Sequence, residues 1–131
     1  MTYELYAVEF PENPQAVCFV NGIIANTGKG KLWMWKNIFT IRRTIGAAEG
    51  CFMAKGGICS SSEVMFTSWW KNEEALMNLM KSPAHREWMR YVIDHPEELT
   101  LYNEMYHCDR PGKYSKSPRG MALHYPRKRV K

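Results

Sequence analysis

From Ala16 to Ala25 the chain reads AVCFVNGIIA, an almost unbroken apolar run rich in β-branched residues, and this stretch constrains the fold most. Such a run predicts a strand, and its continuous apolar character requires cover on both faces for most of its length. Asn21 is the polar side chain within it. A buried amide needs hydrogen-bond partners, so Asn21 either bonds neighbouring backbone or orients a ligand.

Further elements follow the strand in a definite order. Lys31 to about Ala47 predicts a helix, because Met34, Ile38, Ile41 and Ile45 recur at helical spacing while Leu32, Trp35 and Phe39 widen the stripe. Cys51 to Ile58 and Glu63 to Trp70 predict a hairpin, with the turn at 59–62. Asn72 then caps a second helix whose first turn carries Glu73 and Glu74. Pro83 interrupts that helix, yet Ser82 is a good N-cap and proline suits the first position of a fresh segment, so the helix restarts and runs to about Ile93. His95-Pro96 stops it. Leu99 to His107 predicts a fourth strand, with Leu99, Leu101, Asn103 and Met105 on one side.

The order is β-α-β-β-α-β, an α+β ferredoxin-like arrangement with both helices on one face of a four-stranded sheet. The chain offers no further helix for the opposite face. A second copy is the economical cover, so a homodimer is expected.

The length of 131 residues and a 45% hydrophobic content suit one core, expected over 16–108, with an N-terminal arm or edge strand over 1–15 and an irregular extension over 109–131. Residues 109–131 hold eight Lys or Arg against the single acid Asp109, whereas the rest is slightly acidic. The net charge of +5 therefore belongs to a tail, a solvated one, since no aromatic interleaving or nucleic-acid motif accompanies it. Cys18, Cys51, Cys59 and Cys108 are scattered and form no CxxC pair, which predicts reduced thiols and no metal site. With no membrane-length apolar run and no leader-like N-terminus, a cytoplasmic protein is expected.

Thr67-Ser68-Trp69-Trp70-Lys71-Asn72-Glu73-Glu74-Ala75-Leu76, followed by Lys81-Ser82-Pro83-Ala84-His85-Arg86-Glu87-Trp88, resembles the signature of the dimeric α+β-barrel superfamily, and in particular its antibiotic biosynthesis monooxygenase branch. Gly46 to Phe52 and Asp109-Arg110-Pro111-Gly112-Lys113-Tyr114 resemble spheroidene monooxygenase-like members. The resemblance implies the fold, a homodimer, and a monooxygenase-like oxidoreductase acting on a small hydrophobic, aromatic or polyene molecule. The alternative is a non-catalytic homodimer that binds a ligand or partner.

Within that resemblance Asn21, a tryptophan at the end of the third strand and His85 match the Asn/Trp/His sets of cofactor-free members. His85 would be the base or hydrogen-bond donor and Asn21 the orienting amide. Trp69 or Trp70, which point to opposite faces of a regular strand, would be the stacking wall. Arg43 is a candidate to hold a carboxylate. No cofactor is expected, and haem is the main alternative. Where the haem-degrading branch carries its catalytic Trp and His, this chain has Leu79 and Met89, which argues against haem cleavage.

Overall fold

The computed structural model describes residues 3–110, 112–116 and 119–131; Pro111 and Pro118, which punctuate the extension in sequence, lie outside them. The chain runs through β1 (Leu5–Val8), β2 (Val17–Ala25), α1 (Gly28–Ala47), β3 (Cys51–Ser60), β4 (Glu63–Trp70), α2 (Glu73–Met80), α3 (Pro83–Asp94) and β5 (Leu99–His107). It continues through β6 (Lys113–Ser115), one 3-10 turn (Gly120–Leu123) and β7 (Arg127–Arg129). The four long strands form an antiparallel sheet in the order β3-β4-β2-β5, which is the ferredoxin-like topology expected.

Local chemistry sets the element boundaries. Thr27 opens α1 by accepting the Gly30 N–H at 3.0 Å, and Asn72 opens α2 by accepting the Ala75 N–H at 2.9 Å. The second helix does break at proline: α2 ends at Met80, and Ser82 caps α3 by accepting the His85 N–H, with Pro83 in the first turn. Gly50, at φ 83°, makes the left-handed step from α1 into β3 that a side chain would resist.

The core lies between the sheet and the helices. Met34, Ile38, Ile41 and Ile45 of α1, Leu76 and Leu79 of α2, and Phe19, Ile23, Val64, Phe66 and Trp70 of the sheet are all buried. Leu32 and Phe39 do not widen the buried stripe as expected; they are 70% and 63% exposed, on the outer side of α1. Trp35 is half-buried and donates its indole N–H to the Ser61 carbonyl.

Two expectations change. Strand β2 is not buried on both faces within this chain: Val17, Phe19, Ile23 and Ala25 face the helices and are buried, whereas Cys18, Val20 and Ile24 on the other face are half covered. Residues 109–131 are also not wholly irregular. Strands β6 and β7 flank β1 in a second antiparallel sheet, β6-β1-β7, with Ala7 between Lys113 and Lys128. Strands of three residues carry no readable periodicity, and their pairing depends on an edge more than a hundred positions away in sequence.

This second sheet and the turn between its strands β6 and β7 cover one end of the main sheet's open face. Val8, Phe10, Tyr114 and Met121 share a pocket with Cys18 and Trp69, and Phe52 stacks on His124 with ring centroids 4.4 Å apart.

Candidate functional site

Helix α3 has an apolar side but no buried residue, because it roofs a cavity rather than pressing on the sheet. The cavity measures about 260 Å³. Its floor is Phe19, Asn21 and Ile23 of β2 with Leu101 and Asn103 of β5; its walls include Trp33, Ile41 and Ile45 of α1, and Leu79, Met80, His85, Trp88, Met89 and Val92 close it. The lining is mostly apolar with a few polar groups, the usual make-up of a small-molecule site, at a size just below the usual range.

Asn21 and Asn103 are direct cross-strand partners in the β2–β5 register, so two amides stand side by side on the floor. The Oδ1 of Asn21 is buried and has no hydrogen-bond partner among the described residues. A buried carbonyl left unsatisfied costs about 1–3 kcal/mol, and a ligand donor would remove that cost.

The helix break positions His85. With α2 ended at Met80 and α3 restarted at Pro83, the His85 ring lies in the cavity lining together with Met80. Burial holds the imidazole pKa below its usual 6.5, and the Met80 backbone only partly opposes this. The ring is therefore neutral at pH 7. A neutral imidazole keeps one ring nitrogen without a proton, and that nitrogen is a proton acceptor. Trp88 meets His85 edge-on, with centroids 6.1 Å apart and planes at 69°.

The structure thus brings together Asn21 and His85 but none of the other three predicted site residues. Trp70 faces the helices but is fully buried in the core, its indole N–H donated to Ser68 Oγ at 2.8 Å. Trp69 lies on the opposite face, beneath Lys55 at 5.9 Å and beside the second sheet. Arg43 is exposed and lines a separate, open depression between the end of α1 and the α2–α3 junction. The indoles at the cavity belong to Trp33 and Trp88 instead. Trp33 lies on the same i+4 row of α1 as Ile41 and Ile45, a signal present in the sequence; the pairing of Asn103 with Asn21 depends on a strand register that is not.

The lining residues do not suit haem. His85 is the one imidazole, no Arg or Lys among the described lining residues meets two propionates, and Leu79 and Met89 are apolar walls. No group of three or more His, Cys, Asp or Glu is placed to hold a metal ion among the described residues.

The chain has a ferredoxin-like α+β fold, and solved structures that share this fold with it include antibiotic biosynthesis monooxygenase-like proteins. SnoaB, a cofactor-independent oxygenase from Streptomyces nogalater, superposes with a TM-score of 0.55 at 9% identity over 73% of this chain and 95% of its own. A Deinococcus radiodurans protein assigned as an antibiotic biosynthesis monooxygenase gives 0.60 at 12% identity, over 71% and 93%. A Shewanella oneidensis protein gives 0.60 at 17%, over 82% and 97%. These identities carry the fold alone. No family model matches the chain, and no curated protein matches its sequence. None of the helices among the described residues is long and apolar enough to cross a membrane.

Proposed function

We propose that this chain is a monooxygenase-like oxidoreductase that binds a small, flat, hydrophobic molecule with an acidic C–H or phenolic O–H and oxidises it with dioxygen, without a cofactor. The observation that carries the reading is the unpaired, buried Asn21 Oδ1 on the floor of an apolar cavity shared with a neutral His85.

In this reading the substrate hydroxyl donates to Asn21, and the indoles of Trp33 and Trp88 bound its ring. The free His85 nitrogen takes the acidic proton. The resulting carbanion or phenolate, electron-rich and desolvated, transfers one electron to dioxygen; recombination forms a carbon–oxygen bond. Loss of water from the hydroperoxide converts CH2 to C=O, so that one O2 yields one carbonyl and one water. SnoaB, which shares the fold, is a cofactor-independent oxygenase, and this supports the same class of chemistry here.

The open sheet face is proposed to be covered by a second copy. It presents Met65 and Tyr106, 36% and 52% exposed, beside Val20 and Ile24.

The test is oxygen uptake by the purified protein with anthrone as probe, together with its absorbance spectrum. Stoichiometric uptake with quinone formation, slowed on the order of 100-fold or more in His85→Ala, supports the reading. Anthrone binding without oxygen uptake favours the non-catalytic ligand-binding alternative. A Soret band in the purified protein overturns the cofactor-free mechanism.

A further inference from the structure

We propose that Trp33, Tyr91 and Glu98 form a proton-coupled relay that carries an oxidising equivalent from the cavity wall toward the surface.

The geometry is continuous. The Trp33 indole lines the cavity and stacks on the Tyr91 ring, with centroids 4.7 Å apart and planes at 15°. Tyr91 stacks in turn on His95 at the end of α3, 4.2 Å away and at 24°. The Tyr91 hydroxyl donates to Glu98 Oε2. Glu98 is a carboxylate only 5% exposed, held by its chain: its backbone carbonyl accepts the Asn26 N–H at 2.8 Å and packs against Gly30. The reaction proposed above uses Trp33 only as a wall of the cavity and gives Tyr91, His95 and Glu98 no part.

A buried carboxylate is costly unless paired, and Glu98 meets a neutral phenol rather than a cation. That pairing raises the Tyr91 pKa to about 12, chiefly through the hydrogen bond, then burial and the charges of Glu98 and Glu97. The phenol therefore keeps its proton at rest. Oxidation reverses the preference, because a phenol that has lost an electron is a strong acid and a carboxylate on the hydroxyl accepts the proton without movement of heavy atoms.

The steps balance. A substrate carbon radical that escapes recombination with superoxide adds a second O2 to become a peroxyl radical, which takes one electron from Trp33, giving a peroxide anion and an indole radical cation. Trp33 recovers its electron from Tyr91 as the phenol proton passes to Glu98, leaving a neutral tyrosyl radical and a neutral carboxylic acid. His95 stacks on Tyr91 at the outer end of α3, where a thiolate in solution can return the electron as Glu98 returns the proton, leaving a thiyl radical, a phenol and a carboxylate. Only the source of the oxidant rests on the proposed oxygenase reaction; the relay belongs to the three side chains.

Pulse radiolysis with the azide radical, which oxidises tryptophan and needs no bound substrate, separates the two. In the native chain a concentration-independent phase converts tryptophanyl to tyrosyl radical. Trp33→Phe and Tyr91→Phe, both able to keep the stack, should abolish that phase, and Glu98→Gln should slow it on the order of 100-fold, the usual worth of a positioned base. Tyr102 and Tyr106 also donate to carboxylates, so Tyr102→Phe and Tyr106→Phe are the controls and should leave the phase intact. An unchanged phase in Tyr91→Phe or Trp33→Phe, with each variant folded by circular dichroism, would overturn the relay while leaving the oxygenase reading untouched. Absence of anthrone turnover with the phase present would do the reverse.

Discussion

The Tyr102 ring lies across Gly22 in the space a Cβ would need, and its hydroxyl donates to Glu63 at 2.9 Å. A side chain of β5 thus reaches over β2 to a carboxylate on β4, on the sheet face away from the helices. The hydrogen bond raises the Tyr102 pKa to about 12.

Gly22→Ala should expel the ring, since a new methyl group would overlap it, and should cost about 1–3 kcal/mol. Tyr102→Phe, which only removes the bond to Glu63, should cost about 1 kcal/mol. Urea unfolding midpoints order the two, and equal costs would show that the ring swings aside freely.

Asn21→Leu should stabilise the fold by about 1–3 kcal/mol, because it replaces a buried unpaired carbonyl with an apolar group facing an apolar cavity. The same substitution should weaken anthrone binding. Opposite signs for stability and binding are the mark of an amide retained for a ligand. Loss of both would mean that Asn21 serves the fold.

Ser68 and Trp70 are both fully buried and bonded to each other. Ser68→Ala leaves the indole N–H unpaired and should cost about 1–3 kcal/mol. In the double variant with Trp70→Phe the hydrogen-bond part of that cost disappears, giving a coupling of about 1 kcal/mol in a double-mutant cycle.

His85 predicts a pH dependence with a defined sign. Its folded-state pKa lies below 6.5, so the unfolded chain binds more protons between that value and 6.5. The stability due to neutral His85 is present above pH 6.5 and is lost as pH falls through the lowered pKa. The acid limb of kcat/KM should fall in the same window. No Asp, Glu, Lys or Arg lines the cavity among the described residues, so His85→Gln should remove the stability limb. A limb surviving in that variant assigns it to another group.

Several features could be read from residues because they depend on neighbours a few positions away. The caps at Thr27, Asn72 and Ser82 are local hydrogen bonds. The restart at Pro83 follows from ring sterics. The stripe of Met34, Ile38, Ile41 and Ile45 is a helical period. These determined β-α-β-β-α-β, and the resemblance around Ser82-Pro83-His85 singled out the imidazole. The apolar run of β2 identified the strand, but not that one of its faces is only half covered within the chain.

Tertiary structure alone decided which of these side chains meet. Trp69 and Trp70 alternate as any strand requires, but whether either reaches a cavity depends on where α3 sits; it carries His85 over Asn21 and leaves Trp70 inside solid core. The opposition of Asn21 and Asn103, the stack of Trp33 on Tyr91, and the pairing of β1 with β6 and β7 each join residues that are distant in the chain. Such contacts are set by strand register and helix placement, and these minimise the energy of the whole core rather than of any local segment.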